Sequence, residues 1–261
     1  MPGDEITEIR PGYRLTVNGK TFELGSLTAF CSNTVGDGLH MTNDDDHVIV
    51  RNNFTATNAW AAASATTLGN FTAGVLTVRG DFTVNHEGGT SSSYKAFMPS
   101  GTKVVLDGDS PQTILFSYSS PTLSHLDTVE IRGASVKTTA TDVTIEDALN
   151  IFSGARLNFT GDGDFDVDGT ITIDGGYLQG QHDSNIVDGA VLIDNGGTLD
   201  APDTVTFHDQ VTVQNASTLS GGAAQFSSRL PDIDNIATSA YAMGQTYLTG
   251  DVVMVKSLEL P

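Results

Sequence analysis

The chain has 261 residues, enough to bury one large β domain or two smaller ones, and its 32 acidic residues against 12 Lys and Arg give a formal charge of −20. That field repels phosphate backbones and argues against nucleic acid as a partner; it serves solubility first, with calcium binding or a salty habitat as alternatives. Cys31 is the only cysteine, which excludes an internal disulfide and a multi-cysteine metal site, and neither a leader-like opening nor a run of about 18 apolar residues is present, so no membrane insertion is expected.

Apolar residues make up 38% of the chain in short alternating runs that Gly and Pro interrupt every few residues, and no stretch keeps helical spacing over several turns. An all-β fold follows. The first strands in chain order are expected at Arg14–Val17, His47–Val50, Val75–Val84 and Val104–Leu106. Between them, Thr55 to Thr67 reads as a polar insertion with room for a short helix, and His86 to Lys95 as a loop. Asn43-Asp44-Asp45-Asp46-His47 combines carboxylates with a histidine, but an acidic run before a strand is best read as a solvated turn. Residues 1–100 are thus expected to form a less regular β part, a cap or a set of insertions, and residues 101–261 a series of rungs in one continuous elongated domain.

A repeat governs the second half. Val129-Glu130-Ile131 recurs as Leu149-Asn150-Ile151, Ile171-Thr172-Ile173, Val191-Leu192-Ile193 and Val211-Thr212-Val213, at spacings of 20, 22, 20 and 20 residues. A second set, Val143-Thr144-Ile145, Phe165-Asp166-Val167, Asn185-Ile186-Val187 and Val205-Thr206-Phe207, gains two residues over the same interval. One longer turn in a coiled chain explains both shifts. Leu157, Leu178, Leu199 and Leu219 mark a third set, preceded by Gly and Asn suited to left-handed corners. The period predicts a parallel β-helix, or β-solenoid, with rungs of roughly 20 residues, the outer residues of each triplet facing inward and the middle one outward. From Pro231 to Gly244 the period breaks before strand character returns at Tyr247 to Val255.

Several phrases are shared with a known group. Leu76-Thr77-Val78-Arg79-Gly80-Asp81-Phe82, Phe97-Met98-Pro99-Ser100-Gly101-Thr102-Lys103-Val104-Val105-Leu106-Asp107-Gly108 and Pro111-Gln112-Thr113-Ile114 resemble a module of very large secreted and surface-anchored bacterial proteins of adhesin-like organisation. The resemblance covers roughly residues 73–261, and the histidine often found within the Gly-Thr-Lys-Val phrase is absent at Thr102-Lys103. It implies a non-catalytic solenoid stalk at the cell surface or outside the cell, beside neighbouring repeats or associating with itself, and it supplies no catalytic motif.

The sharpest chemical feature is Asp162-Gly163-Asp164-Phe165-Asp166-Val167-Asp168-Gly169. It resembles the start of a calcium loop, but the bidentate Glu that an EF-hand needs would fall on Gly175, so only a weaker calcium site of Asp162, Asp164, Asp166 and Asp168 remains. Stacking adds outward columns, Glu146, Asp168, Asp188 and His208 in one and Asp174 above Asp194 in another, as further weak cation sites. A solvated acidic face is the plainer explanation of both. The alternative function is a β-helix that binds or cleaves carbohydrate, as in tail spikes and polysaccharide lyases. It requires a groove with aromatic rings beside carboxylates. Aromatic residues are only 7%, Trp60 is the sole tryptophan, and no outward column is expected to combine acids, an arginine and aromatics, although Arg132 and Phe152 are stacked neighbours.

Overall fold

The computed structural model describes residues 5–31, 37–59, 67–87, 95–182, 184–227, 231–233 and 240–248. They form a β-solenoid without helix, in which the strands stack as three parallel columns. Column A contains β1 (Ile6–Ile9), β4 (Ser26–Cys31), β7 (Phe54–Ala59), β9 (Phe82–Glu87), β11 (Gln112–Phe116), β13 (Val136–Thr139), β15 (Arg156–Phe159), β18 (Tyr177–Gln179) and the first halves of β21 (Thr198–Phe207), β23 (Thr218–Phe226) and β25 (Ala240–Leu248). Column B contains β3 (Thr21–Leu24), β6 (His47–Val50), β8 (Val75–Val78), β10 (Lys103–Leu106), β12 (Leu126–Ile131), the second half of β14 (Val143–Ile151), β17 (Thr170–Asp174), β20 (Val191–Asp194), β22 (Val211–Val213) and β24 (Asp232–Ile233). Column C begins with β2 (Arg14–Thr16) and β5 (Gly38–His40) and continues above through the start of β14, β16 (Phe165–Val167), β19 (Asn185–Val187) and the last halves of β21, β23 and β25. Where column C has a strand the chain visits C, B and A in turn, from β7 to β13 its strands alternate between A and B, and nine turns separate β3 from β24. At about 4.8 Å per rung, that is a rod of roughly 43 Å.

The three repeated sets of the sequence are the three columns. Each triplet buries its outer residues and turns the middle one outward, so Val129, Leu149, Ile171, Val191 and Val211 form one inner ladder and Ile131, Ile151, Ile173, Ile193 and Val213 another. The looser spacing of the first half reflects longer rungs of the same coil. Val48, Leu76, Val104 and Val129 share the first ladder at intervals of 28, 28 and 25 residues. A phenylalanine cluster fills this end of the core: Phe97 packs against Phe54, Phe71 and Phe82 with ring centroids 4.7 to 5.8 Å apart.

Four local expectations change. Val75 to Val84 is two strands rather than one, because the chain turns from column B to column A at Arg79-Gly80-Asp81. Thr55 begins inside β7, so the first part of the expected insertion is strand, and Trp60 lies outside the described residues. Likewise His86 and Glu87 end β9. The expected break after Pro231 is a further turn: Ile233 pairs in register above Val213, and Ala240 to Leu248 continue β23. Strand pairing to the rung below outweighs the irregular local sequence there.

Candidate functional site

The acidic residues singled out in the sequence fall into three groups. Asp166 and Asp168 lie on and just after β16, and the backbone bonds from Asp168 to Ile145, Asp188 to Val167 and His208 to Val187 put Glu146, Asp168, Asp188 and His208 in one outward column, as expected. His125 stands below it, 3.6 Å from Glu146, and His208 pairs with Asp188 at the top. Burial, reinforced by the neighbouring Asp168 and Asp188 carboxylates, raises the Asp166 pKa; burial and Asp188 raise that of Asp168. Asp127, one corner below, is raised by burial and by Asp147 and Glu146. The column therefore concentrates negative charge that folding does not neutralise.

Asp174 and Asp194 are register partners where column B turns into column A. Each carboxylate accepts a bond from the asparagine one rung above, Asn195 to Asp174 at 2.5 Å and Asn215 to Asp194 at 2.6 Å. Those asparagines and Gly175 adopt left-handed φ of 53°, 52° and 69°, which suits Asn and Gly at this sharp corner. The bond from Asn215, against the effect of burial and with help from Gln214 and the Asn195 amide, lowers the Asp194 pKa. These carboxylates fasten one corner turn to the next.

Asp162 and Asp164 lie apart from both groups, in the link from column A to column C. Asp164 accepts from the Ser184 amide at 3.2 Å and pairs with His182 at 3.0 Å, while Asp162 is exposed. The six candidate ligands thus divide among three places, and among the described residues no group of three or more His, Cys, Asp or Glu side chains is placed to hold a metal ion. Asp46 of the first acidic run is buried and accepts the amides of Gly19, Thr42 and Asn43, so it organises its turn, while His47 pairs with Thr77.

Two features were not anticipated. On the outer face of column A, the Arg156 guanidinium lies 4.3 Å from the ring centroid of Tyr177, whose hydroxyl donates to Asp200 at 3.1 Å; Gln179 and Ser220 also donate to Asp200. Burial and the Asp200 charge raise the Tyr177 pKa and keep it a donor. This corrects the expectation that no outward column joins an arginine, an aromatic and an acid. The residues flanking Leu157, Leu178 and Leu199 carry that signal once the alternation is applied to the third set.

The second feature is a half-open groove of about 350 Å³ lined by Phe116, Ser117, Tyr118, Ser119, Ala140, Thr141, Asp142 and Asp162. Its origin is the unequal length of successive links that leave column A. Nine residues separate β11 from β12, three separate β13 from β14, and five separate β15 from β16. The short link is the floor and its longer neighbours are the walls. The two-residue insertion visible in the sequence is what lengthens the upper wall and carries Asp162.

No known family, curated protein or solved structure matches this chain.

Proposed function

We propose that the chain is a non-catalytic structural rod of an extracellular bacterial surface protein or filament, adhesive in role and associating end to end. The observation that carries this reading is the state of the two end rungs. Leu15, Phe22 and Leu24 at one end and Ile233 and Met243 at the other are only partly buried, whereas their ladder neighbours Val48, Val50 and Val213 are fully enclosed. Among the described residues, β3 pairs only with β6 and β24 only with β22, which leaves one backbone edge open on each. A parallel coil has polarity, so the contact that continues its ladders is head to tail, an open association that extends into a filament.

The charge of −20 opposes such stacking, and salt or calcium ions screening the acidic column favour it. Calcium acts here as a counter-ion on Glu146, Asp168 and Asp188 rather than in a closed cage. Sedimentation velocity over a concentration series at low and high salt is the test. The expected result is concentration-dependent growth, stronger at high salt, and its loss in Phe22→Lys and Ile233→Lys variants that retain the β circular dichroism of the parent. A protein that stays monomeric in every condition contradicts the proposal. Carbohydrate binding is a second reading, favoured by one observation: the groove places the aromatic Tyr118 beside Asp142 and Asp162.

A further inference from the structure

We propose that the groove between the 117–125 and 160–164 links binds a neutral saccharide of one or two rings. The inference rests on the carbohydrate-binding reading and stands independently of end-to-end association. Its volume, about 350 Å³, lies near the lower end of the roughly 300–1,000 Å³ typical of small-ligand sites. Its lining selects the ligand by exclusion. Among the described residues no Lys, Arg or His lines it and two Asp do, so anions, uronates and phosphates among them, are repelled. Most of its lining side chains carry hydroxyl or carboxylate groups, which rejects a purely apolar ligand. No third acid or histidine joins Asp142 and Asp162 in a metal-holding group among the described residues, which disfavours a bare cation.

What remains is a neutral molecule rich in hydroxyls with one apolar face. A pyranose has that character. The Tyr118 side chain is 54% exposed at the wall and offers a ring on which the C–H face of a sugar can stack. Asp142 and Asp162 accept bonds from sugar hydroxyls, and Ser119, whose Oγ accepts the Thr144 amide at 2.9 Å, has its own O–H left to donate. The floor is held rigid. Phe116 N donates to Thr141 Oγ1 at 3.1 Å and Asp164 N to Asp142 Oδ1 at 3.2 Å, which tie the three links together. Little ordering cost then accompanies binding.

The experiment is a binding screen of the whole chain against immobilised neutral oligosaccharides built from glucose, galactose, mannose or N-acetylglucosamine, with oligouronates and calcium chloride as competitors. The expected result is retention on at least one neutral series, weakened about tenfold by Tyr118→Ala through loss of the stacking ring and further by Asp162→Asn. Tyr13→Ala, which removes a tyrosine exposed at the far end of the coil, leaves binding unchanged. Absence of binding to every neutral series overturns the proposal, as does retention on oligouronates alone or binding that survives Tyr118→Ala. Displacement of a bound saccharide by micromolar calcium also overturns it, because the two carboxylates would then be a cation site.

Discussion

Lys137 shows how far a single residue can depart from the pattern around it. It occupies the inward position that Leu157, Leu178, Leu199 and Leu219 hold in later rungs, and it is completely buried. Its ammonium donates to Gly108 O at 3.0 Å and to Ser135 Oγ at 2.7 Å, and burial lowers its pKa against the opposing pull of Asp107 and Asp109. Replacing a buried charge by an apolar chain of similar length is often neutral or stabilising, so Lys137→Met is expected to melt no lower than the parent. Ser135→Ala, which strips a partner from a buried ammonium, is expected to cost about 1–3 kcal/mol in chemical denaturation. Because the folded chain binds this proton less tightly than the unfolded one, the lysine makes stability rise with pH between its lowered value and the ordinary lysine range. Alternation read from Val136-Lys137-Thr138 alone places the lysine outward. Only the register with Leu157 reveals that it points in, since local sequence does not say which phase of a short strand faces the core.

At the scale of the element, the inner ladders and the outer columns act in opposite directions. Leu178 is fully buried between Leu157 and Leu199, and Leu178→Ala is expected to cost roughly 2–5 kcal/mol, measured by denaturant unfolding. The outer acidic column detracts from stability at neutral pH. Asp127, Asp166 and Asp168 have raised pKa values, so the folded state binds more protons than the unfolded one just above the ordinary carboxylate range. The stability this confers is complete below that range and is lost as pH rises through the raised values. Melting temperature is therefore expected to be higher at pH 5 than at pH 7, with a smaller difference in Asp168→Asn. Glu130 behaves oppositely: burial is outweighed by bonds from Lys103 and Arg132, its pKa is lowered, and its contribution fades only in stronger acid. Columns B and C of the second half were legible because their links keep almost constant length. The rungs of the first half were not, since links of varying length leaving column A erase a fixed period while leaving the strands in place. The groove escaped for the same reason. Its insertion was visible as two extra residues, but a concavity depends on neighbouring links that lie more than 20 residues apart in the chain.

For the whole molecule, the all-β solenoid was legible from the period, and its function is a matter of what the coil presents. Among the described residues it presents acidic flanks, a polar notch at one corner and end rungs whose apolar residues are only partly buried. In the proposed end-to-end association, the flanks would keep copies apart at low salt, and the end rungs would bring them together once the charge is screened. Electron microscopy of the purified chain at several concentrations and salt levels tests the central claim most directly. The account predicts rods of constant width whose length grows with concentration in repeats of at least about 43 Å, the span of the nine described turns at ~4.8 Å each. Isolated particles of one repeat length at every concentration and salt level would contradict it.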